Sequence, residues 1–128
     1  MSKFTPGKWR WELNLKSKRV SLCGGKNPFD LIVMDFERWG LGSAIPRFRT
    51  GNDDMNIMKK AIEFASVVPG REHHSDWFQN IDHPDARLIA AAPEMYELLK
   101  GIAYPHLSGT TQDLLKVEAI KLLERIDG

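Results

Sequence analysis

The segment richest in chemical potential is Arg38-Trp39-Gly40-Leu41-Gly42-Ser43-Ala44-Ile45-Pro46-Arg47-Phe48-Arg49. Guanidinium groups fork onto phosphate oxygens. Glycines at 40 and 42 let backbone amides turn toward an anion. Trp39 and Phe48 could stack a nucleobase. Arg47 and Arg49 lie two apart on an expected strand and so share a face. Phe48 points the other way unless Pro46 introduces a bulge; without a bulge Phe48 is core and Trp39 alone can stack. The spacing is neither a Walker loop nor a dinucleotide fingerprint. The same residues also suit a glycine-rich β connection with solvated arginines and two core aromatics.

A second cluster runs from Arg71 to Asp85 and holds three of the four histidines, His73, His74 and His83, with four carboxylates. Imidazole and carboxylate ligands together suit Zn, Mn or Fe, so His73, His74, His83 and Asp85 form an alternative metal set. They also suit general acid–base work near neutrality. Arg71 and His73 could instead meet an anion. The spacing is not HExxH, and the competing reading is a polar loop whose His83 and Asp85 order a helix start. No serine–histidine–aspartate arrangement follows from spacing, so no catalytic residue is assigned and no cofactor is expected. The single cysteine, Cys23, excludes an intrachain disulfide and reads as a small strand residue rather than a nucleophile.

These residues need a frame, and 128 residues allow one modest core. Hydrophobic residues at 42% and charged residues at 27% exclude global disorder. No apolar run reaches membrane-spanning length, and the first residues lack a signal-peptide pattern, so a cytoplasmic protein is expected. The net charge of +1 hides an asymmetry: residues 1–64 sum to +5 and residues 65–128 to −4. A basic N-terminal half could meet an anionic ligand, or could be one solvated face of a two-signed molecule.

The first half alternates. Lys8 to Leu13 sets Trp9, Trp11 and Leu13 against Lys8, Arg10 and Glu12, the pattern of a strand with one face in the core. Arg19–Cys23 alternates again until Gly24 and Gly25 break it. Leu31–Phe36 is an apolar run suited to a central strand. Ala44–Arg49 is a fourth strand that Pro46 confines to an edge or a bulge. The second half has helical periods. Met55, Met58, Ile62 and Ala65 predict a helix over 55–65, and residues 75–79 a helical turn. Asp82-His83-Pro84-Asp85 starts a helix that Pro93 should kink or divide. Thr110 or Thr111 caps a last helix with seven large aliphatic residues from Leu114 to Ile126. That exceeds one stripe, and residues such as Leu115 and Leu122 are expected to meet a second chain. The expectation is therefore an α+β fold in a single domain: an antiparallel sheet of three to four strands in residues 1–50, then three to four helices in 51–128 packed on one face.

Two stretches carry a resemblance. Thr5-Pro6-Gly7-Lys8-Trp9 and His83-Pro84-Asp85-Ala86-Arg87-Leu88-Ile89-Ala90-Ala91-Ala92-Pro93-Glu94-Met95-Tyr96-Glu97-Leu98-Leu99 resemble the two ends of a signature of small phage and prophage proteins. Most of those have no known function, so the resemblance implies an origin and transfers no catalytic residue. In size and layout the chain also loosely resembles phage sponge proteins that sequester nucleotide signals of host defence. That resemblance implies a non-enzymatic homo-oligomer with a nucleotide-like ligand at Arg38, Trp39, Arg47, Phe48, Arg49, Arg71 and His73. A protein-binding inhibitor of a defence, restriction or CRISPR complex is the alternative, and a metal-dependent hydrolase using the histidine cluster is the third.

Overall fold

The structure is a computed structural model that describes residues 4–26, 29–50, 56–67, 78–104 and 111–127. Its larger sheet has five antiparallel strands in sequential order: β1 (Arg10–Asn14), β2 (Arg19–Lys26), β3 (Phe29–Arg38), β4 (Ala44–Thr50) and β5 (Ile57–Lys60). A 3-10 turn, Ala61–Phe64, leads into β6 (Ala65–Val67), which pairs with β7 (Phe78–Ile81). Among the described residues two helices follow, α1 (Pro84–Ala103) and α2 (Gln112–Asp127). No described helix is long and apolar enough to cross a membrane.

The α+β class and the sheet-then-helix order match the sequence, but the counts differ. Residues 57–67 form strand, 3-10 turn and strand rather than a helix. The spacing of Met58, Ile62 and Ala65 fits a helix, yet the same spacing arises when a short edge strand meets a turn that buries Ala61. Residue 55 lies outside the described residues. Of the helical turn expected at 75–79, residues 78 and 79 are strand and residues 75–77 lie outside the described residues; β structure thus continues well past residue 50. Gly24 and Gly25 do not end β2, which runs on to Lys26. They mark instead where another segment crosses close by: the Gly25 amide donates to the Pro6 carbonyl at 2.7 Å, and a Cβ on Gly24 would stand 2.9 Å from that same oxygen.

Pro46 introduces no bulge; the β3–β4 register is regular from Met34↔Phe48 to Arg38↔Ala44. β4 is also an interior strand, yet Pro46 is tolerated for a local reason. The Trp39 amide bonds the Ser43 carbonyl, and counting back from that pair points the nitrogen of Pro46 away from β3. On that other side β5 pairs only as far as Lys60, opposite Arg47. Pro46 therefore sits where its strand has no neighbour to disappoint. The irregularity lies instead in β3, where Leu22 pairs with Met34 and Cys23 with Ile32. Val33 is the extra residue, and it is fully buried.

Pro93 does not divide α1, which runs through it. Nor do the helices lie across the sheet. Only the first turns of α1 reach it: Ala86 and Ile89 pack with Ile45, Phe48, Ala61 and Phe64. From Ala91 onward the buried side of α1 faces α2, with Ala91, Leu122 and Ile126 packed against Leu88, Met95 and Leu98. Leu115 and Leu122 are thus buried within the chain, Leu115 against Gly101, and are not surface offered to a second copy. Thr111 caps α2, its Oγ1 accepting the Leu114 amide. Arg87 closes the other end, donating from Nε to the Ile126 carbonyl at 2.9 Å.

Candidate protein-interaction face

The β3–β4 connection turns on Gly40 and Gly42, both at φ +74°. Its arginines are not gathered around one point. Arg47 forks onto Asp35, Nε to Oδ1 at 2.7 Å and Nη2 to Oδ2 at 2.6 Å. That carboxylate raises the guanidinium pKa further and occupies the fork a phosphate would use. Arg49 is buried, with Nη2 donating to Thr5 Oγ1 at 3.1 Å. Phe48 is core, in ring contact with His83 and Phe64. Arg38 and Trp39 remain side by side in solvent, Arg38 making a long 3.4 Å bond to the Gly40 carbonyl. Arg71, His73 and His74 lie outside the described residues.

The buried polar groups form a clasp between the N-terminal segment and the start of α1. Thr5 donates to Asp85 twice, from its amide to Oδ1 and from Oγ1 to Oδ2, both at 2.6 Å. The Asp85 amide donates to His83 Nδ1 at 3.1 Å. That leaves the ring proton on Nε2, which lies 2.7 Å from the Arg49 carbonyl and donates to it. His83 is thereby the N-cap of α1, as the helix-start reading expects. Both its ring nitrogens are engaged, and each carboxylate oxygen of Asp85 accepts one hydrogen bond from Thr5. Among the described residues no cluster of three or more His, Cys, Asp or Glu could hold a metal ion.

The clasp explains the two signature stretches, which meet here although they stand 80 residues apart. Thr5 holds Asp85. Pro6 accepts the Gly25 amide. Gly7 sits at φ +91°, where a Cβ would stand 2.8 Å from the Gly25 carbonyl oxygen. Trp9 donates from Nε1 to the Thr5 carbonyl at 2.9 Å. These residues serve the fold.

What remains for contact with another molecule is one face of the sheet. Register places Trp11, Leu22, Met34 and Phe48 in one row across four strands. Burial changes along that row: Phe48 is 3% exposed and Leu22 8%, but Trp11 is 61% exposed. In the next row Leu13 pairs with Val20, and one step on from Ser21↔Asp35 comes Phe36; all three are exposed. The core thus runs out into an open apolar shelf toward the β1 edge. Both hairpin tips lie at one end of the strands, beyond the row of Leu13, Val20 and Phe36, with Leu15 on one and Trp39 and Leu41 on the other. Leu41 is 91% exposed.

The opposite face carries Arg10, Glu12, Asp35, Glu37 and Arg47, partly paired among themselves, with Cys23 and Ile45 buried in register with Arg10 and Glu37. The sheet is therefore amphipathic, and the expectation that Trp11 and Leu13 are core is corrected. Their alternation is right, but nothing described in this chain covers them. The available signal was the alternation itself, in a strand at the far end of the meander from the helices.

No curated protein and no solved structure matches this chain. One family model does, over residues 1–124, and it spans both halves of the clasp. On that match the chain belongs to the phage protein family described as Salmonella phage P22 protein Y8K6.

Proposed function

We propose that this phage protein is a non-enzymatic binding protein whose apolar sheet face seats a host protein, a defence complex being the first class to test. The observation that carries the reading is the row Leu13, Val20, Phe36 with Trp11 beside it, all exposed and contiguous. Monomeric soluble proteins rarely leave such patches open, and aromatic anchors are what protein interfaces concentrate. On the sheet, the charged side chains of the reverse face and the hydrogen-bonded clasp offer no comparable apolar surface. In this reading the protein works in the bacterial cytoplasm, and it is one folding unit whose N-terminal segment is held to α1 by the clasp.

A photo-crosslinking amino acid placed at residue 11 or 12 tests this in infected cells. The two positions are neighbours on opposite faces. Position 11 should yield a discrete heteromeric adduct and position 12 should not. Equal adducts from both faces, or none from position 11, would overturn the reading.

A second reading, sequestration of a nucleotide-like signal, is favoured by one observation: Arg38 and Trp39 stand exposed together beside two glycines. The arginine can meet phosphate and the indole can stack. In this reading a cyclic dinucleotide binds calorimetrically and is recovered intact after heat denaturation. Arg38→Ala should cost about 10- to 150-fold in affinity, the range for a hydrogen bond to a charged group. Arg47→Ala should cost less, since Arg47 is already forked onto Asp35.

A further inference from the structure

We infer that the free edge of β1 pairs antiparallel with β1 of a second copy, centred on Trp11, and joins two five-stranded sheets into one. The backbone sets the chemistry of that edge. The Trp39 amide bonds the Ser43 carbonyl, so Asp35↔Arg47 is a hydrogen-bonded pair and Met34↔Phe48 is not. Met34 therefore turns its amide and carbonyl toward Leu22, and Leu22 turns its own toward Met34 and away from Trp11. Trp11, and Leu13 two residues on, direct their amides and carbonyls outward, where no described strand pairs with them. An extended backbone satisfies such a row of donors and acceptors. The two edges of the sheet also differ. β5 is blunted by Lys59 and Lys60 and runs straight into the 3-10 turn. β1 has no proline and keeps a regular register with β2 from Arg10 to Asn14.

Charge identifies the occupant as a second copy. Pairing across a two-fold axis sets one residue of β1 opposite itself. Centred on Arg10 or Glu12, it brings like charges face to face, which is destabilising. Centred on Leu13 or Asn14, it runs part of the strand against the turn at residues 15–18. Centred on Trp11, it sets Arg10 opposite Glu12 of the other copy at two symmetric places. Arg10 and Glu12 also lie 3.9 Å apart within one chain, so the four charges alternate in sign around a ring. On the other face the two Trp11 indoles meet as a cross-strand aromatic pair. The axis stands perpendicular to the sheet, so both apolar shelves face the same side and stay open to the partner proposed above. The inference does not rest on that reading, and a dimer's cross-links are told from a host protein's by mass.

Short edges make a small interface, and a dissociation constant of tens of micromolar is expected. Sedimentation equilibrium of the full chain up to several hundred micromolar tests this. The wild type should approach twice the 14.6 kDa chain mass. Arg10→Glu and Glu12→Arg, each alone, should weaken association about tenfold or more. Mixed in equal amounts they should associate as the wild type does, because every facing pair is again of opposite sign. Should either charge variant fail to fold, Trp11→Cys and Leu13→Cys in a Cys23→Ala background decide the register. Facing Cα atoms of a hydrogen-bonded pair stand about 5.5 Å apart, within disulfide reach. Position 11 should therefore cross-link to itself under mild oxidation, and position 13 should not. A monomeric wild type, a mixture no tighter than its parts, or equal cross-linking from positions 11 and 13 would overturn the inference.

Discussion

Asp85 is a buried carboxylate held by two donors from one residue, Thr5, at the far end of the chain. Hydrogen bonds to charged groups contribute about 1.5–3 kcal/mol, and leaving a buried partner unsatisfied costs more than never having it. Thr5→Val removes the Oγ1 donor and the acceptor used by Arg49, so it should destabilise by about 2–4 kcal/mol in urea titrations. Thr5→Ser keeps the hydroxyl and should cost about 1 kcal/mol or less, the value of one buried methyl. Equal losses from the two variants would show that shape rather than hydrogen bonding holds the site. Cys23 gives an independent probe. Burial pushes its thiol pKa up, reinforced by a hydrogen bond involving Glu12, and the thiolate is the form that alkylates. Native protein at mildly alkaline pH should therefore react with iodoacetamide far more slowly than protein unfolded in urea. Similar rates would contradict the burial.

Among the elements, two glycines at positive φ separate strain from crowding. A Cβ at Gly40 meets open space, so Gly40→Ala should cost only the conformational penalty, about 1 kcal/mol. At Gly7 the same change also drives a Cβ into the Gly25 backbone. Gly7→Ala should thus cost at least about 2 kcal/mol more than Gly40→Ala in the same titration, in the range of overpacking. A smaller gap would mean that the N-terminal segment moves aside. Pro93 offers the opposite sign. It denies the Ile89 carbonyl a helical partner without ending α1, and Pro93→Ala should raise the unfolding midpoint. The sequence made much of this architecture legible. Alternation located β1 and β2, an apolar run located β3, the Ala44–Arg49 stretch was readable as β4, and the Asp82–Asp85 run and Thr110 or Thr111 located both helix starts. Residues 57–67 misled because a short strand followed by a tight turn repeats apolar residues at helical intervals. Within the clasp, His83 and Asp85 were readable as a cap, but their contact with Thr5 is tertiary and leaves no mark in local spacing. The shelf was half legible: alternation tells which residues share a face, not whether anything covers it.

At the scale of the whole molecule, the β1 end of the sheet and the helical hairpin project from opposite sides of one small core. That core is centred on Phe48, Ile45 and Ala86 and closed by the clasp. Each projection carries an apolar surface larger than its own chain covers. The central claim is that Trp11 and Leu13 are exposed for binding and contribute little to folding. Urea unfolding of the Trp11→Ser, Leu13→Ser double variant tests it most directly. Surface substitutions on an edge strand should lower stability by less than about 1 kcal/mol in total. A loss of about 5 kcal/mol or more, the scale of removing two large side chains from a core, would show that the chain covers this face itself and would contradict the account.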